Sequence, residues 1–186
     1  MEMKEITHVA DLGPVIISWL LALIFGFASY HKITAWPRFL ASMSAYRILP
    51  NWIAPQLAGL ALIFGEIAAC TSLLALHHFG LILAMVLLVL YFGVISINLI
   101  RGRTHIDCGC GDEPTPISML LLVRNLVLVG FAYLAIQNFI GWSSLLWNIS
   151  IFALASAGLF FGIYVIFEQM LANRGRHQRL WIGEVN

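Results

Sequence analysis

The sequence predicts an all-α membrane protein, with about five transmembrane helices in one bundle and a short interfacial amphipathic helix. Hydrophobic residues make up 61% of the 186 residues and charged residues 10%, whereas soluble globular proteins contain roughly 45–50% and 25%. A soluble domain of this size could not bury so much apolar surface. Continuous apolar runs, rather than alternating patterns, favour helices, which besides closed barrels are the only structures that cross a bilayer.

Five apolar runs approach the length of about 20 residues that a helix needs to cross the hydrocarbon core. They cover residues 12–30, 53–76, 79–100, 117–136 and 145–167. Short connections after the second and the fourth run predict two antiparallel helical hairpins. We expect residues 1–172 to form a single transmembrane bundle and residues 173–186 to form a polar, basic tail.

The stretch between the first two runs, residues 36–49, is too short to span a bilayer. Its large apolar residues recur at helical spacing: Trp36, Phe39, Leu40, Met43 and Tyr46. The pattern predicts an amphipathic helix that lies at the lipid headgroups. An irregular loop is the alternative.

Two ionisable residues fall inside the predicted spans, Glu66 in the second and Arg124, followed by Asn125, in the fourth. Charged groups at such depth are costly and usually face the protein interior in pairs. Both helices begin on the same side of the membrane, so we expect Glu66 and Arg124 to meet directly or through one polar group. The pair would either stabilise helix packing or line a polar cavity that holds a substrate. Cys70, one turn beyond Glu66, is interpreted as a small hydrophobic residue.

The loop of residues 101–116 carries Cys108 and Cys110, separated by one glycine. A disulfide closed across one residue is a tight ring, and strained disulfides are easily reduced and often catalytic. This favours a redox-active pair. A metal site formed with His105 or Asp107 is a weaker alternative, because structural zinc sites prefer wider spacing and four ligands. A turn with incidental cysteines is the third interpretation. We expect no metal.

Three motifs follow one another between this loop and the fourth span: Cys108-Gly-Cys-Gly, Thr115-Pro-Ile-Ser118 and Arg124-Asn125. Together they resemble the MauE family of methylamine-utilisation membrane proteins. The Gly65-Glu66 helix, with its seam of small residues, resembles the wider DoxX-like membrane superfamily. The resemblance implies a role in maturation. MauE-type proteins are associated with production of the disulfide-rich small subunit of methylamine dehydrogenase, beside MauD, a membrane-anchored thioredoxin-like protein.

By this resemblance, Cys108 and Cys110 would be the catalytic residues and would exchange electrons with a MauD-like partner in the bacterial inner (cytoplasmic) membrane. The client would be the methylamine dehydrogenase small subunit. The attacking species is a thiolate, which the nearby Arg101, Arg103 and His105 would favour. Four residues would support the site: Glu66, Arg124, Asn125 and His105.

Two other functions are compatible with the sequence. One is a non-catalytic scaffold that assembles the thioredoxin-like partner. The other is a quinone-linked membrane enzyme built around Glu66 and Arg124. The chain has no nucleotide, flavin or haem motif, and quinone is its one candidate cofactor. The chain would count as an enzyme if it is one component of a thiol–disulfide oxidoreductase, and the sequence leaves this open. A formal charge of +1 gives no reason to expect a nucleic acid partner.

The basic residues predict the orientation in the membrane. With five spans, Lys4 stands on one side and every other basic residue outside the spans stands on the opposite side. The positive-inside rule then places the cysteine loop and the C-terminal tail in the cytoplasm. Disulfide formation in a periplasmic client would favour the opposite orientation. We adopt the orientation that the charges predict.

Overall fold

The computed structural model describes residues 12–48, 50, 53–103, 106–108, 115–139 and 147–183, with side chains of the last segment described over 150–173. These residues form six helices: α1 Gly13–Thr34, α2 Trp36–Tyr46, α3 Pro55–Leu74, α4 His78–Ile100, α5 Met119–Gln137 and α6 Trp147–Gly183. Within the described part of the chain, α1, α3, α4, α5 and α6 each contain a stretch long and apolar enough to cross a membrane. The predicted class, an all-α membrane bundle, is confirmed.

Helix α1 lies at the centre of the bundle and packs against α3, α5 and α6. More than half of its apolar stretch is buried, 56%, compared with 11–33% in the other four spanning helices. Those outer helices expose large apolar side chains such as Phe64, Val86 and Phe160. Lipid tails are as apolar as these side chains, so their exposure carries no penalty in a bilayer.

The hairpin between α3 and α4 closes with a tight turn at Leu76. This residue adopts the left-handed conformation, with φ 48°. The N–H of His77 donates to the carbonyl of Ser72 at 2.9 Å, and that of Leu76 to the carbonyl of Leu73 at 3.0 Å, which is a Schellman cap. A Cβ atom at Gly80 would lie 2.8 Å from the backbone of Leu73. The start of α4 can therefore approach the end of α3 only because residue 80 is glycine.

Helix α2 follows α1 after one residue and ends at Arg47, which has a left-handed φ of 50°. The helix predicted over 36–49 is therefore present over 36–46. Its apolar residues Phe39 and Met43 form a buried cluster with Ile63 of α3. This contact joins α2 to the first half of α3 rather than leaving it as an independent surface helix.

One end of the bundle, called here the loop end, gathers α2, the start of α3, the end of α4 and the residues between α4 and α5. The hydroxyl of Tyr46 in α2 donates to the carbonyl oxygen of Cys108 at 3.0 Å, which joins two of these segments. Arg124, near the start of α5, contacts Glu168 of α6. Helix α6 therefore also runs toward the loop end.

The close approach at Gly80 predicts that Gly80→Ala lowers the free energy of unfolding by about 1–3 kcal/mol, because the added methyl group meets backbone atoms that cannot move aside cheaply. Gly93→Ala in the same helix is the control, since a Cβ at Gly93 meets nothing within 4 Å. That variant should be unchanged or slightly more stable. Thermal unfolding in detergent would measure both, and equal midpoints for the two variants would contradict the packing at Gly80.

The predicted orientation can be tested with reporters fused to the C-terminus, which follows α6 at the loop end. A fused green fluorescent protein should fluoresce and a fused alkaline phosphatase should be inactive, because the charge distribution places this end in the cytoplasm. Fusions truncated at Leu76, at the opposite end of the bundle, should give the reverse pattern. Active phosphatase at the C-terminus would overturn the orientation.

Candidate functional site at the loop end

The segment before α5 folds back on itself beside Cys108. The N–H of Cys108 donates to the carbonyl of Thr115 at 2.8 Å, and the N–H of Ile117 donates to the carbonyl of Ile106 at 3.0 Å. The Asp107 carboxylate accepts a hydrogen bond from the N–H of Thr115 at 3.0 Å. These bonds pair the residues on either side of the loop tip in antiparallel fashion. The position of Cys108 is thus set by its own backbone.

Cys108 is the member of the predicted catalytic pair that the structure describes; Cys110 and the predicted supporting residue His105 lie outside the described residues. The Cys108 side chain is buried, with 6% of its surface exposed. It belongs to an apolar cluster that seals the loop onto the bundle, with Ile95, Ile106, Ile117, Leu121 and Leu171. The thiol of Cys108 therefore faces the protein rather than bulk water.

A cavity of about 490 Å³ lies beneath Cys108, between α2, α3 and α4. Cys108 borders it at the loop end, and Lys32 and Tyr91 border it farther inside the bundle. The rest of the lining is mostly apolar and includes Phe39, Met43, Ala58, Ala61, Leu62, Leu90, Val94 and Ile95. The cavity connects the cysteine to the polar interior of the bundle.

That polar interior is centred on Glu66, whose side chain has no exposed surface. Its carboxylate accepts hydrogen bonds from Lys32 Nζ at 2.5 Å, from the Tyr91 hydroxyl at 2.6 Å and from the Ser29 hydroxyl at 3.2 Å. Lys32 is itself buried, with 3% of its side chain exposed. Three donors, one of them a cation, offset the cost of burying the carboxylate away from water.

Arg124 has a different partner. Its guanidinium forms an ion pair with Glu168 of α6, and it donates to the side-chain oxygen of Asn125 at 3.4 Å. The expectation that Glu66 and Arg124 face the interior is confirmed, because both are buried. The predicted direct ion pair between them is not formed: among the described residues, Glu66 pairs with Lys32 and Arg124 with Glu168. Contact between them through one intervening polar group stays a prediction.

The reason for the error lies in the direction of two side chains. Side chains of a helix tilt toward its N-terminus, so Lys32, near the end of α1, extends from the loop end toward the middle of the bundle. There it reaches Glu66. The predicted first span ends at residue 30, before Lys32, and the predicted last span ends at residue 167, one residue before Glu168. Extending both apolar runs by one turn would include the two partners.

The two ion pairs share a small cavity of about 30 Å³, which is lined by residues of both, including Lys32, Glu66, Arg124 and Asn125. Such a volume is sufficient for one water molecule. Tyr164 also borders this space, with its ring centre 5.9 Å from the Arg124 guanidinium carbon. The charged groups thus form one buried polar region rather than two isolated pairs.

An open groove lies on the other side of the loop and is called here the arginine groove. Its volume is about 660 Å³, and its lining includes Arg38, Arg47, Arg103, Ile106 and Asp107. Arg38 and Asp107 approach to 4.0 Å. Within the described part of the chain, the Nη1 atom of Arg103 is buried without a hydrogen-bond partner. The groove therefore presents net positive charge directly beside the residue that precedes Cys108.

The pairing predicts a specific pattern in double-mutant cycles. Lys32→Met should lower the free energy of unfolding by about 3–5 kcal/mol, because it leaves the Glu66 carboxylate buried without a cation. Adding Glu66→Gln should recover much of that loss. Arg124→Met and Glu168→Gln should behave likewise, whereas Glu66→Gln with Arg124→Met should couple more weakly than either ion pair, because these two residues share a cavity but make no direct contact. Unfolding in detergent would measure each variant, and strong coupling only between Glu66 and Arg124 would contradict this arrangement.

Comparisons with known proteins identify the family of the chain. A protein of Methylophilus methylotrophus called methylamine utilization protein MauE is 30% identical over 174 residues, which cover 91% of each chain. The protein of the same name from Paracoccus denitrificans is 35% identical over 116 residues, 60% of this chain and 62% of that protein. No solved structure matches the chain. The family described as methylamine utilisation protein MauE matches residues 10–138. This chain is a member of the MauE family of membrane proteins.

Proposed function

We propose that this chain acts in methylamine utilisation as a thiol–disulfide exchange protein of the bacterial inner membrane. Cys108 and Cys110 take electrons from a membrane-anchored, thioredoxin-like partner of the MauD type. That partner in turn forms disulfides in the small subunit of methylamine dehydrogenase. Exchange with a partner of a periplasmic client at the loop end requires the orientation opposite to the one that the basic residues predict, so the reporter fusions at the C-terminus decide between the two. The observation that carries the proposal is the placement of Cys108, which is held by backbone pairing at the end of the bundle and borders the cavity between α2, α3 and α4.

The spacing of the two cysteines keeps them within reach of each other. Cα atoms two residues apart are separated by at most about 7 Å, and disulfides form over Cα distances of roughly 4.4–6.8 Å. A ring closed across one residue is strained, which raises its reduction potential. The oxidised pair is therefore suited to withdraw electrons from a partner rather than to serve as a structural crosslink.

The burial of Cys108 decides which sulfur the partner attacks in this proposal. A thiolate of the reduced partner attacks the Cys110 sulfur, the Cys108–Cys110 bond breaks, and Cys108 leaves as a thiolate. The second thiolate of the partner then attacks its own sulfur in the mixed disulfide, and Cys110 leaves as a thiolate. The partner becomes oxidised by two electrons and the pair becomes reduced. The buried Cys108 is the leaving sulfur, since a bulky partner cannot reach it directly.

The arginine groove supports docking of a partner beside the pair. It reaches Ile106 and Asp107, the residues immediately before Cys108. A positive surface next to the exchanging bond attracts an acidic partner and increases the rate of encounter. The same positive charge favours the thiolate form that thiol–disulfide exchange requires.

Serine substitutions test the exchange. Cys108→Ser and Cys110→Ser should each abolish maturation of the dehydrogenase small subunit in cells that lack the native protein, because either change removes the disulfide. Incubated with the oxidised partner, Cys108→Ser should trap a mixed disulfide, because the Cys110 thiolate attacks the partner's disulfide and displaces one of its two sulfurs as a thiolate; non-reducing electrophoresis and mass spectrometry would detect it. Cys110→Ser should accumulate far less, because Cys108 is shielded.

Cys70→Ser is the matched control, since Cys70 lies in α3 against Gly26 of α1, away from the loop. It should preserve maturation, with at most a modest loss of stability. Full maturation with the double variant Cys108→Ser/Cys110→Ser would overturn the exchange function. A non-catalytic scaffold for the thioredoxin-like partner would then take its place.

A further inference from the structure

We propose that the cavity beneath Cys108 binds a quinone, and that this quinone reoxidises the Cys108–Cys110 pair. The inference rests on the proposed function, because a pair that oxidises a partner must pass the two electrons on before it can act again. Three features of the cavity support this ligand: its apolar walls, its opening toward lipid and the cation at its inner end.

The apolar walls of the cavity fit a quinone, which has a ring and an apolar tail. The volume of about 490 Å³ lies within the range of roughly 300–1,000 Å³ that is usual for small-molecule sites. Phe39, Met43, Leu62 and Val94 contribute apolar surface. The cavity is large enough for a quinone ring and the first part of its tail, whereas the rest of the tail would extend out of the protein.

The cavity opens toward the side of the bundle that faces lipid. Ala61 of α3 and Leu90 of α4 line it, and both are exposed on the outer surface of the bundle. Because these two residues both line the cavity and reach the outer surface, we infer that the cavity opens to lipid between α3 and α4. A ligand dissolved in the bilayer can therefore enter without crossing water, and a membrane quinone is such a ligand.

The inner end provides a buried hydrogen-bond donor. The ammonium of Lys32 carries three N–H groups, and among the described residues its one hydrogen-bond partner is Glu66. The ammonium also lies 5.7 Å from the centre of the Phe39 ring and 5.4 Å from that of Tyr91. A quinone carbonyl can accept a hydrogen bond from this cation, and its ring can pack against the aromatic residues. A phospholipid acyl chain would pack against the apolar walls but could not accept a hydrogen bond from the ammonium.

The electron balance closes with quinone as the oxidant. The two thiols lose two electrons and two protons as the Cys108–Cys110 bond forms, and the quinone gains two electrons and two protons to become a quinol. Cys108 borders the same cavity as the ring. The Lys32 cation would stabilise negative charge that develops on the quinone oxygen during reduction. The quinol then returns to the bilayer through the same opening.

The test uses the full chain purified into nanodiscs made from quinone-free lipid, with the cysteine pair reduced. Added decylubiquinone should oxidise the pair and yield one quinol per disulfide. Ultraviolet absorbance would measure the quinol, and thiol labelling would measure the loss of free cysteines. Ala61→Trp should slow this reaction roughly tenfold or more, because the indole fills space that the ring needs. Ala68→Trp is the matched control on the exposed side of α3 outside the cavity lining, and should change the rate less than about twofold.

A second measurement keeps the two proposals separate. Disulfide exchange of the pair with oxidised glutathione should be the same in Ala61→Trp and in the unsubstituted protein. If exchange proceeds but decylubiquinone does not oxidise the pair, or oxidises it equally fast in Ala61→Trp, the quinone site is overturned and the exchange function stands. Labelling of the cavity by a photoreactive fatty acid that decylubiquinone does not displace would also overturn it, with lipid as the occupant.

Discussion

A carboxylate is costly to bury among lipid chains unless the protein supplies its hydrogen bonds, and Glu66 depends on donors from two other helices. Lys32 and Ser29 come from α1 and Tyr91 comes from α4, while Glu66 itself belongs to α3. An isolated buried charge costs several kcal/mol, so these three helices must keep the relative positions that satisfy it. The same arrangement places a cation at the inner end of the cavity below Cys108.

The loop that carries the cysteines is held by a different set of bonds, at the end of the bundle. Its backbone is paired across Cys108 and Thr115, and Tyr46 attaches it to α2. Helix α2 in turn packs on α3 through an apolar cluster. Cys108 therefore lies between two environments, with positively charged residues in the arginine groove outside and an apolar cavity inside. In the proposed function, a protein partner uses the first environment and a lipid-soluble oxidant uses the second.

The buried charges show which features of the site a residue pattern can predict and which it cannot. Intramembrane Glu66 and Arg124 were recognised as residues that must be compensated, and both are buried. Their partners could not be deduced from depth alone. The tilt and length of a side chain decide which neighbour it reaches, and Lys32 and Glu168 lie close to the ends of their apolar runs. The loop residues were recognised by their spacing, but the burial of Cys108 depends on side chains from α4, α5 and α6.

Composition and the length of the apolar runs were sufficient to predict the class of fold, because a bilayer admits few backbone structures and sets their length. They were also sufficient to identify the cysteine loop and the charges that need partners, since both depend on residue type and spacing. The choice of ion pairs, the cavity and the inward position of Cys108 arise from contacts between helices distant in sequence. Periodicity within one helix carries no information about which face of another helix it meets, so these features exist only once the bundle has assembled.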